Sequence, residues 1–427
     1  MEKKRVVQNA AWIIGCRIVQ AVLGILITMI SARYLGPSGF GLINYAASIV
    51  TFVVPVMQLG LTSTLVREII NDPEREGQIL GTAVVMNFVS SLCCIVGVIS
   101  FAVIANAGEQ VTIIVCGLYS VQLVFQSADI VRYWFQAKLL SKYVSITVLA
   151  GYFLTSVYKI VLLATGCSVY WFALAQSVDY CVISLSLLVI YRKVGTQKLS
   201  FSRSLARRMF ARSKYYIVSS MMVTIFAQTD RIMLKLMAGD EAVGFYSAAI
   251  TCAGMTSFVF AAILDSVRPS LLEKKKNGGG FEEGITGTYS IITYLSAAQC
   301  IFVILFAGMI IRILYGADYA PAVPALRIIV WYTTFSYLGS VRNIWILAEG
   351  LQKYLWIINL SGAAANVLLN GCLIPVMGIS GAALASLVTQ FFTNVVIGFI
   401  IRPIRRNNIL MLRGLDPRHF LRMIRSR

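Results

Sequence analysis

The chain has 427 residues, with 37 Lys and Arg against 18 Asp and Glu and a formal charge of +19. Yet 58% of it is hydrophobic and its mean hydropathy is +0.78. A soluble protein does not combine those values, whereas apolar membrane spans joined by basic loops do.

A bilayer core of about 30 Å takes roughly twenty apolar residues per helix. That window predicts twelve spans, near 10–32, 41–61, 79–105, 110–130, 143–165, 168–191, 214–237, 243–265, 288–311, 323–347, 354–375 and 380–401. The third is long enough to tilt. The runs are continuous rather than alternating, which favours helices over barrel strands. The opening Met-Glu-Lys-Lys-Arg is read as a basic flank and not as a signal peptide, since eleven further spans follow it. The nine cysteines lie in or beside spans without metal-ligand spacing, and are expected to be small buried hydrophobes.

Twenty-nine of the thirty-seven bases fall in the N-terminus, the tail and alternate loops; eight of them lie between Arg192 and Lys214. The intervening loops hold only Arg33, Arg312 and Arg327. Both termini are therefore expected in the cytoplasm, with the chain a multi-pass protein of the cytoplasmic membrane.

Catalysis has little to draw on. The only histidine is His419, in the basic tail, and there is no GxxxxGK[ST] phosphate loop, HExxH, GxSxG or GxGxxG-in-βαβ pattern. No catalytic residue, cofactor or metal site is expected, and no nucleic-acid partner. The chain is expected to move something rather than transform it.

The sequence echoes itself halfway along. Gly36 and Gly41 flank four residues and precede Tyr45-Ala46-Ala47-Ser48; Gly239 and Gly244 do the same before Tyr246-Ser247-Ala248-Ala249. Ala173-Leu174-Ala175 recurs as Ala383-Leu384-Ala385. These echoes predict an all-α polytopic protein of two six-helix lobes, 1–191 and 214–401. A basic connector (192–213) would join them, and a basic tail (402–427) would follow. Parallel repeats of this kind suit alternating access. In the connector, Phe201, Leu205 and Met209 recur at i, i+4, i+8 with arginines on other faces. That pattern fits an amphipathic helix on the membrane or a solvated linker. Lys274–Gly280 reads as a flexible loop.

Five bases remain inside spans: Arg17, Lys159, Arg231, Lys235 and Arg342. Each costs about 3 kcal/mol near the bilayer centre, so such residues usually face a polar cavity. Lys235, near a span end, is expected to snorkel. Among acids, Asp129 and Asp265 are placed to pair with Arg132 and Arg268 along their own helices. Asp179 lies near the middle of span 6. It either pairs with Lys159 or stays unpaired and takes up protons, as a coupling site would.

Asn9-Ala10-Ala11-Trp12 and the run Ser31-Ala32-Arg33-Tyr34-Leu35-Gly36-Pro37-Ser38-Gly39-Phe40-Gly41 resemble the opening of bacterial Wzx-type oligosaccharide flippases. Gly60-Leu61, Val66-Arg67-Glu68, Thr229-Asp230-Arg231 and Gly378-Ile379-Ser380-Gly381-Ala382-Ala383 resemble the same family. It belongs to the multidrug/oligosaccharidyl-lipid/polysaccharide (MOP) exporter superfamily. The resemblance implies that a polyprenyl-diphosphate-linked oligosaccharide is flipped across the bacterial plasma membrane for polysaccharide biosynthesis. A polysaccharide polymerase and glycosyltransferases would be neighbours in that process. In this reading Arg17, Lys159, Arg231 and Arg342 form a cationic cavity for the pyrophosphate, since guanidinium forks match phosphate oxygens. Asp179 is the candidate coupling residue. Asn9, Gln20, Thr28, Asn44, Gln122, Gln126, Gln228, Asn343, Asn359, Asn366 and Gln390 are the pool of sugar partners. A cation-coupled multidrug antiporter of the same superfamily is the nearest alternative, and a membrane glycosyltransferase or polymerase the alternative of another class. The chain lacks the two extra C-terminal spans of lipid II flippases.

Overall fold

The computed structural model describes residues 2–195 and 197–416, with side chains throughout except at residues 2–19, 21 and 22. Helices follow one another without a strand among the described residues. They are α1 (Glu2–Met57), α2 (Leu65–Asn71), α3 (Glu76–Ala105), α4 (Gln110–Ser120), α5 (Gln122–Ala128), α6 (Arg132–Ala137), α7 (Ser141–Ala164) and α8 (Val169–Val194). Then come α9 (Arg203–Gly254), α10 (Ser257–Lys276), α11 (Phe281–Leu314), α12 (Ala322–Ala348), α13 (Leu355–Phe391), α14 (Ile397–Ile400) and α15 (Arg405–Gly414). The chain divides into two compact units, Met1–Gln228 and Thr229–Arg427.

By length and hydropathy, seven helical stretches among the described residues are fit to cross a membrane, or eight if α9 and α10 count as one bent span. The shortfall from twelve arises because predicted spans run together. Spans 1 and 2 share α1, spans 7 and 8 share α9, and spans 11 and 12 share α13, while α12 is not among the seven.

Two of the shared helices are hairpins. At about 1.5 Å rise per residue, residues sixteen apart on one straight helix are about 24 Å apart. Yet Tyr246 Oη donates to Asp230 Oδ2 at 2.5 Å, and Arg231 Nε donates to Ser247 Oγ at 3.1 Å. Both pairs are centred near Gly239, which has φ 86°, ψ −178°. In α13, Asn370 and Ser386, equally spaced about Gly378 (φ 56°), reach the same Asp230 carboxylate. A Cβ on Gly381 would lie 2.2 Å from the Leu373 carbonyl oxygen. Gly36 has φ 67°, ψ 176°, the conformation of Gly239, its partner in the sequence echo. Left-handed φ without strain is what glycine supplies at such turns.

The duplication also shows in the backbone. Left-handed residues pair between units: Gly36 with Gly239, Gly108 with Gly316, Leu139 with Gly350, and Gly166 with Gly378. Around the third pair the hydrogen bonds repeat. Lys138 N to Trp134 O, Leu139 N to Gln136 O and Leu140 N to Phe135 O recur 211 residues on as Glu349 to Trp345, Gly350 to Leu347 and Leu351 to Ile346. At this corner Lys138 pairs with Glu76 at 2.6 Å, and Glu349 with Lys275 at 2.5 Å. The polarity is reversed but the closure is the same.

In the first unit, Leu61, Leu65, Ile79, Leu80, Trp134, Phe135 and Tyr191 form the core, with the Trp134 ring edge-on to Tyr191 at 4.9 Å. The connector packs into this core. Gln197 accepts from Gly77 N and donates to Pro73 O, both at 2.9 Å, and Ser202 N donates to Thr82 Oγ1 at 3.1 Å. Cβ atoms on Gly77 or Gly81 would fall 2.5 Å from Lys198 or Ser200 carbonyls, so glycine permits the approach. Leu205 and Met209 are buried in the core while Phe201 is exposed. Two of the three residues of the connector's apolar face, Leu205 and Met209, are therefore covered by protein, and Phe201 stays exposed.

In the second unit, Phe260, Tyr289, Tyr337, Trp345, Ile397 and Met411 are among the core residues, and Phe260 stacks on Tyr337 at 4.0 Å. Lys274–Gly280 continues α10 to Lys276 and then turns tightly through Gly278 and Gly280, both left-handed. The tail is not wholly free: α15 docks on α11, with Tyr289 Oη donating to Asn407 Oδ1 at 2.9 Å and Ser290 Oγ to the Gly414 carbonyl at 2.8 Å. Val96, Ile104, Phe153, Leu305, Leu368 and Val376 are exposed, as lipid-facing side chains are. Cys94, Cys116, Cys252 and Cys300 are buried as expected, but Cys93 and Cys372 are exposed. His419 and the Cys16 side chain lie outside the described residues.

Candidate functional site

The structure places the five candidate residues unequally. Arg17 is helical in α1, and its side chain lies outside the described part. Lys159 on α7 is half-buried, and Asp179 on α8 is buried. The two attract one another without forming an ion pair. Asp179 Oδ2 accepts from Gln176 Nε2 at 3.3 Å, whereas Oδ1 has no hydrogen-bond partner. Thr155, whose hydroxyl interacts with the Asp179 carboxylate, and Ser177, whose Oγ has no hydrogen-bond partner, are buried beside this helix pair. A Cβ on Gly151 would sit 3.0 Å from Asp179 Oδ1, so α7 leaves the carboxylate its space. A carboxylate held in low dielectric with an open lone pair gains from any further hydrogen-bond donor or cation that reaches it.

In the second unit, Arg342 on α12 is buried. Its Nη1 donates to the Thr393 carbonyl at 2.6 Å and its Nη2 to Asn343 Oδ1 at 3.3 Å, while Nε has no partner. Thr393 lies in a π-helical segment, Phe392–Val396. Such segments recur at functional sites. A Cβ on Gly339 would meet Asn394 Oδ1 at 2.2 Å, so glycine allows α12 this close. Arg342 thus clasps two helices by neutral acceptors and has no carboxylate partner. Arg231 is half-buried on α9 with Nε on Ser247. Lys235 does not snorkel: it is buried and pairs across the Gly239 turn with Asp240 at 2.8 Å. Asp129 pairs with Arg132 as expected, and Asp265 with Arg268 at 3.7 Å on the surface.

Sequence reasoning missed the most heavily bonded acid. Asp230 is buried on α9, and its Oδ1 accepts from Asn366 Nδ2 at 3.0 Å and Asn370 Nδ2 at 2.6 Å. Its Oδ2 accepts from Tyr246 Oη and Ser386 Oγ. Four donors from both hairpins meet one carboxylate. Asn366 is thereby committed to structure, and other members of the polar pool are bonded within the protein too. Gln126 Nε2 donates to Tyr180 Oη at 3.2 Å, Asn44 Nδ2 to the Phe40 carbonyl at 2.8 Å, and Gln390 Oε1 accepts from Asn394 at 2.5 Å. Among the described residues no three His, Cys, Asp or Glu side chains gather as a metal site.

The helix order and hairpins define the fold of MOP-superfamily transporters. An inward-facing multidrug resistance MATE family transporter of that superfamily aligns with TM-score 0.69 at 14% identity, over 91% of this chain and 94% of that one. The lipid II flippase MurJ in an inward closed conformation aligns with TM-score 0.66 at 16% identity, over 94% and 90%. A MOP superfamily transporter from Pyrococcus furiosus with a binding pocket of reverse polarity aligns with TM-score 0.61 at 15% identity, over 95% and 96%. Residues 6–273 match the polysaccharide biosynthesis protein family, and the chain belongs to it. An uncharacterized membrane protein of Methanocaldococcus jannaschii is 28% identical over 235 residues, 51% of this chain. The match spans about half of that relative's length, 46%. The chain is a multi-pass membrane protein.

Proposed function

We propose that this protein is a Wzx-type flippase. It carries a polyprenyl-diphosphate-linked oligosaccharide from the cytoplasmic to the outer leaflet by alternating access, and is not itself an enzyme. The observation that carries this reading is the family match across residues 6–273 on a fold shared with a lipid II flippase. Its chemistry agrees, because Lys159 on the span α7 and the buried Arg342 on α12 have no carboxylate in ion-pair contact among the described residues. A cation held that way is stabilised by an anionic ligand, and a pyrophosphate is one. Arg17, Lys159, Arg231 and Arg342 are assigned to the head group. Asp179, with its unpartnered oxygen, is assigned to coupling. The loop charges support both termini in the cytoplasm of a bacterial cell. A drug antiporter for cationic amphiphiles would want the opposite excess, acids over bases.

Cells lacking the protein are expected to accumulate lipid-linked glycan precursor at the inner leaflet and to lose the surface polysaccharide. Complementation with Lys159→Ala is expected to restore no more than about a tenth of the export at normal protein level. Lys159→Arg should restore most of it, because the charge persists. Normal precursor turnover in the deletion would overturn the function. Full export by Lys159→Ala would remove that residue from the site.

A further inference from the structure

The first unit holds a polar cavity of about 220 Å³, lined by residues including Gln58, Asn87, Gln126, Asp129, Arg132 and Tyr180. It lies entirely within that unit, where the turn closing α1 meets the irregular turn between α5 and α6. Three of its buried atoms have no hydrogen-bond partner: Asn87 Oδ1, Asp129 Oδ1 and Arg132 Nε. Asn87 is 1% exposed and Asp129 8%. Buried polar atoms left this way cost about 1–3 kcal/mol each, so a cavity that keeps three of them is expected to be filled by something that bonds to them. Gln58 is followed by Leu59 at φ 51°, a left-handed conformation that a leucine adopts at a cost. Ser213 Oγ holds that turn by donating to the Leu59 carbonyl at 2.7 Å.

The fold does not require this polarity. The duplicated second unit provides the control, at the 211-residue offset fixed by the matching hydrogen bonds. There Gln126, Asp129, Arg132 and Tyr133 become Tyr337, Ser340, Asn343 and Ile344. Tyr337 stacks on Phe260 in the core, so an aromatic pair packs where the first unit has glutamine. The corresponding helix α12 also runs unbroken for 27 residues, whereas the first unit interrupts it with a 3-10 turn at Asp129–Val131.

The kind of ligand follows from the charges. Asp129 already pairs with Arg132, so the site is near neutral. A phosphate would face unpartnered carboxylate and amide oxygens. A metal cation would sit beside the guanidinium. A polyhydroxyl compound satisfies both, since each hydroxyl donates to one group and accepts from another. The cavity holds roughly seven waters at their liquid volume, room for one pyranose ring and not for two.

We infer that this cavity is a monosaccharide subsite in which Asn87, Asp129 and Arg132 bind one sugar ring of the transported glycan, with Gln126 and Tyr180 beside them. The inference rests on the flippase reading and deepens it. The subsite lies at the end of the unit that carries the 58–64 and 138–140 turns, beside the basic connector. On the orientation argued above, that is the side on which the glycan is loaded.

The full-length protein in lipid nanodiscs, titrated with glucose, galactose, mannose and N-acetylglucosamine and followed by saturation-transfer NMR, tests this. At least one of these sugars is expected to bind in the millimolar range. Asn87→Leu should weaken it at least about tenfold, the loss of one hydrogen bond to a buried partner. Gln126→Leu gives a second variant should Asn87→Leu fail to fold, and unchanged melting certifies either. Binding of none of the four sugars, or equal binding by both folded variants, overturns the subsite. So does radioactive sodium binding that vanishes in Asn87→Leu while the sugars remain silent. Lipid-linked precursor still crossing the membrane in that case would leave the flippase function standing. Sugar binding with normal export in deletion cells would do the reverse.

Discussion

Asp230→Leu is expected to lower the stability of the second unit by about 3–5 kcal/mol, the cost of breaking a buried charged network from one side. The carboxylate accepts from Asn366, Asn370, Tyr246 and Ser386, all buried, and leucine leaves those donors facing hydrocarbon. Asp230→Asn should behave very differently. Its amide oxygen can still accept from the two asparagines, while its NH₂ can donate to the tyrosine and serine, whose hydroxyls accept as readily as they donate. Thermal melting of purified protein should therefore rank wild type and Asn close together and Leu far below. Equal losses from Asn and Leu would mean that the charge matters rather than the acceptor geometry.

Gly381→Val should separate the arms of the α13 hairpin. A Cβ at 381 would fall 2.2 Å from the Leu373 carbonyl oxygen, a backbone atom that cannot swing away as a side chain would. Overpacking of this kind costs about 3 kcal/mol. It should act through the Asp230 network as well, since Asn370 and Ser386 ride on opposite arms. Gly308→Ala is the control: a Cβ there meets nothing within 4 Å, in the interior of α11. It should leave stability unchanged or raise it by about 0.5–1 kcal/mol. A Gly381→Val protein that melts like wild type would contradict the hairpin.

Much of this architecture was legible in the residues. Apolar runs located the helices because a bilayer dictates their length, and the echo of Gly36 in Gly239 announced two turns of the same conformation. Three features were not legible, each for a physical reason. The helices run together because a single left-handed glycine reverses the chain with no loop to mark the boundary. Leu205 and Met209 reveal an apolar face, but periodicity does not say whether lipid or protein covers it; here α2 and α3 of the first unit form part of that cover. Asp230 carries no local signal beyond its place in the Thr229-Asp230-Arg231 stretch, because three of its four donors arrive from 136 to 156 residues away. Lys235 misled in a related way. It lies near a span end, as snorkelling lysines do, but the Gly239 turn brings Asp240 within reach. Of the cationic candidates, Arg342 has no acidic partner, whereas Lys159 is attracted to Asp179, the partner that the sequence offered, without forming an ion pair with it.

The central claim concerns cargo, and reconstitution tests it most directly. Protein purified into liposomes should speed the appearance of an inner-leaflet polyprenyl-diphosphate-linked oligosaccharide at the outer leaflet, read by its accessibility to an added glycosidase. Protein-free liposomes should show only slow leakage, because a pyrophosphate and its sugars cross hydrocarbon at a prohibitive electrostatic and desolvation cost. An unchanged rate with folded protein, together with uptake of lipophilic cations against a proton or sodium gradient, would contradict the account and make the chain a drug antiporter.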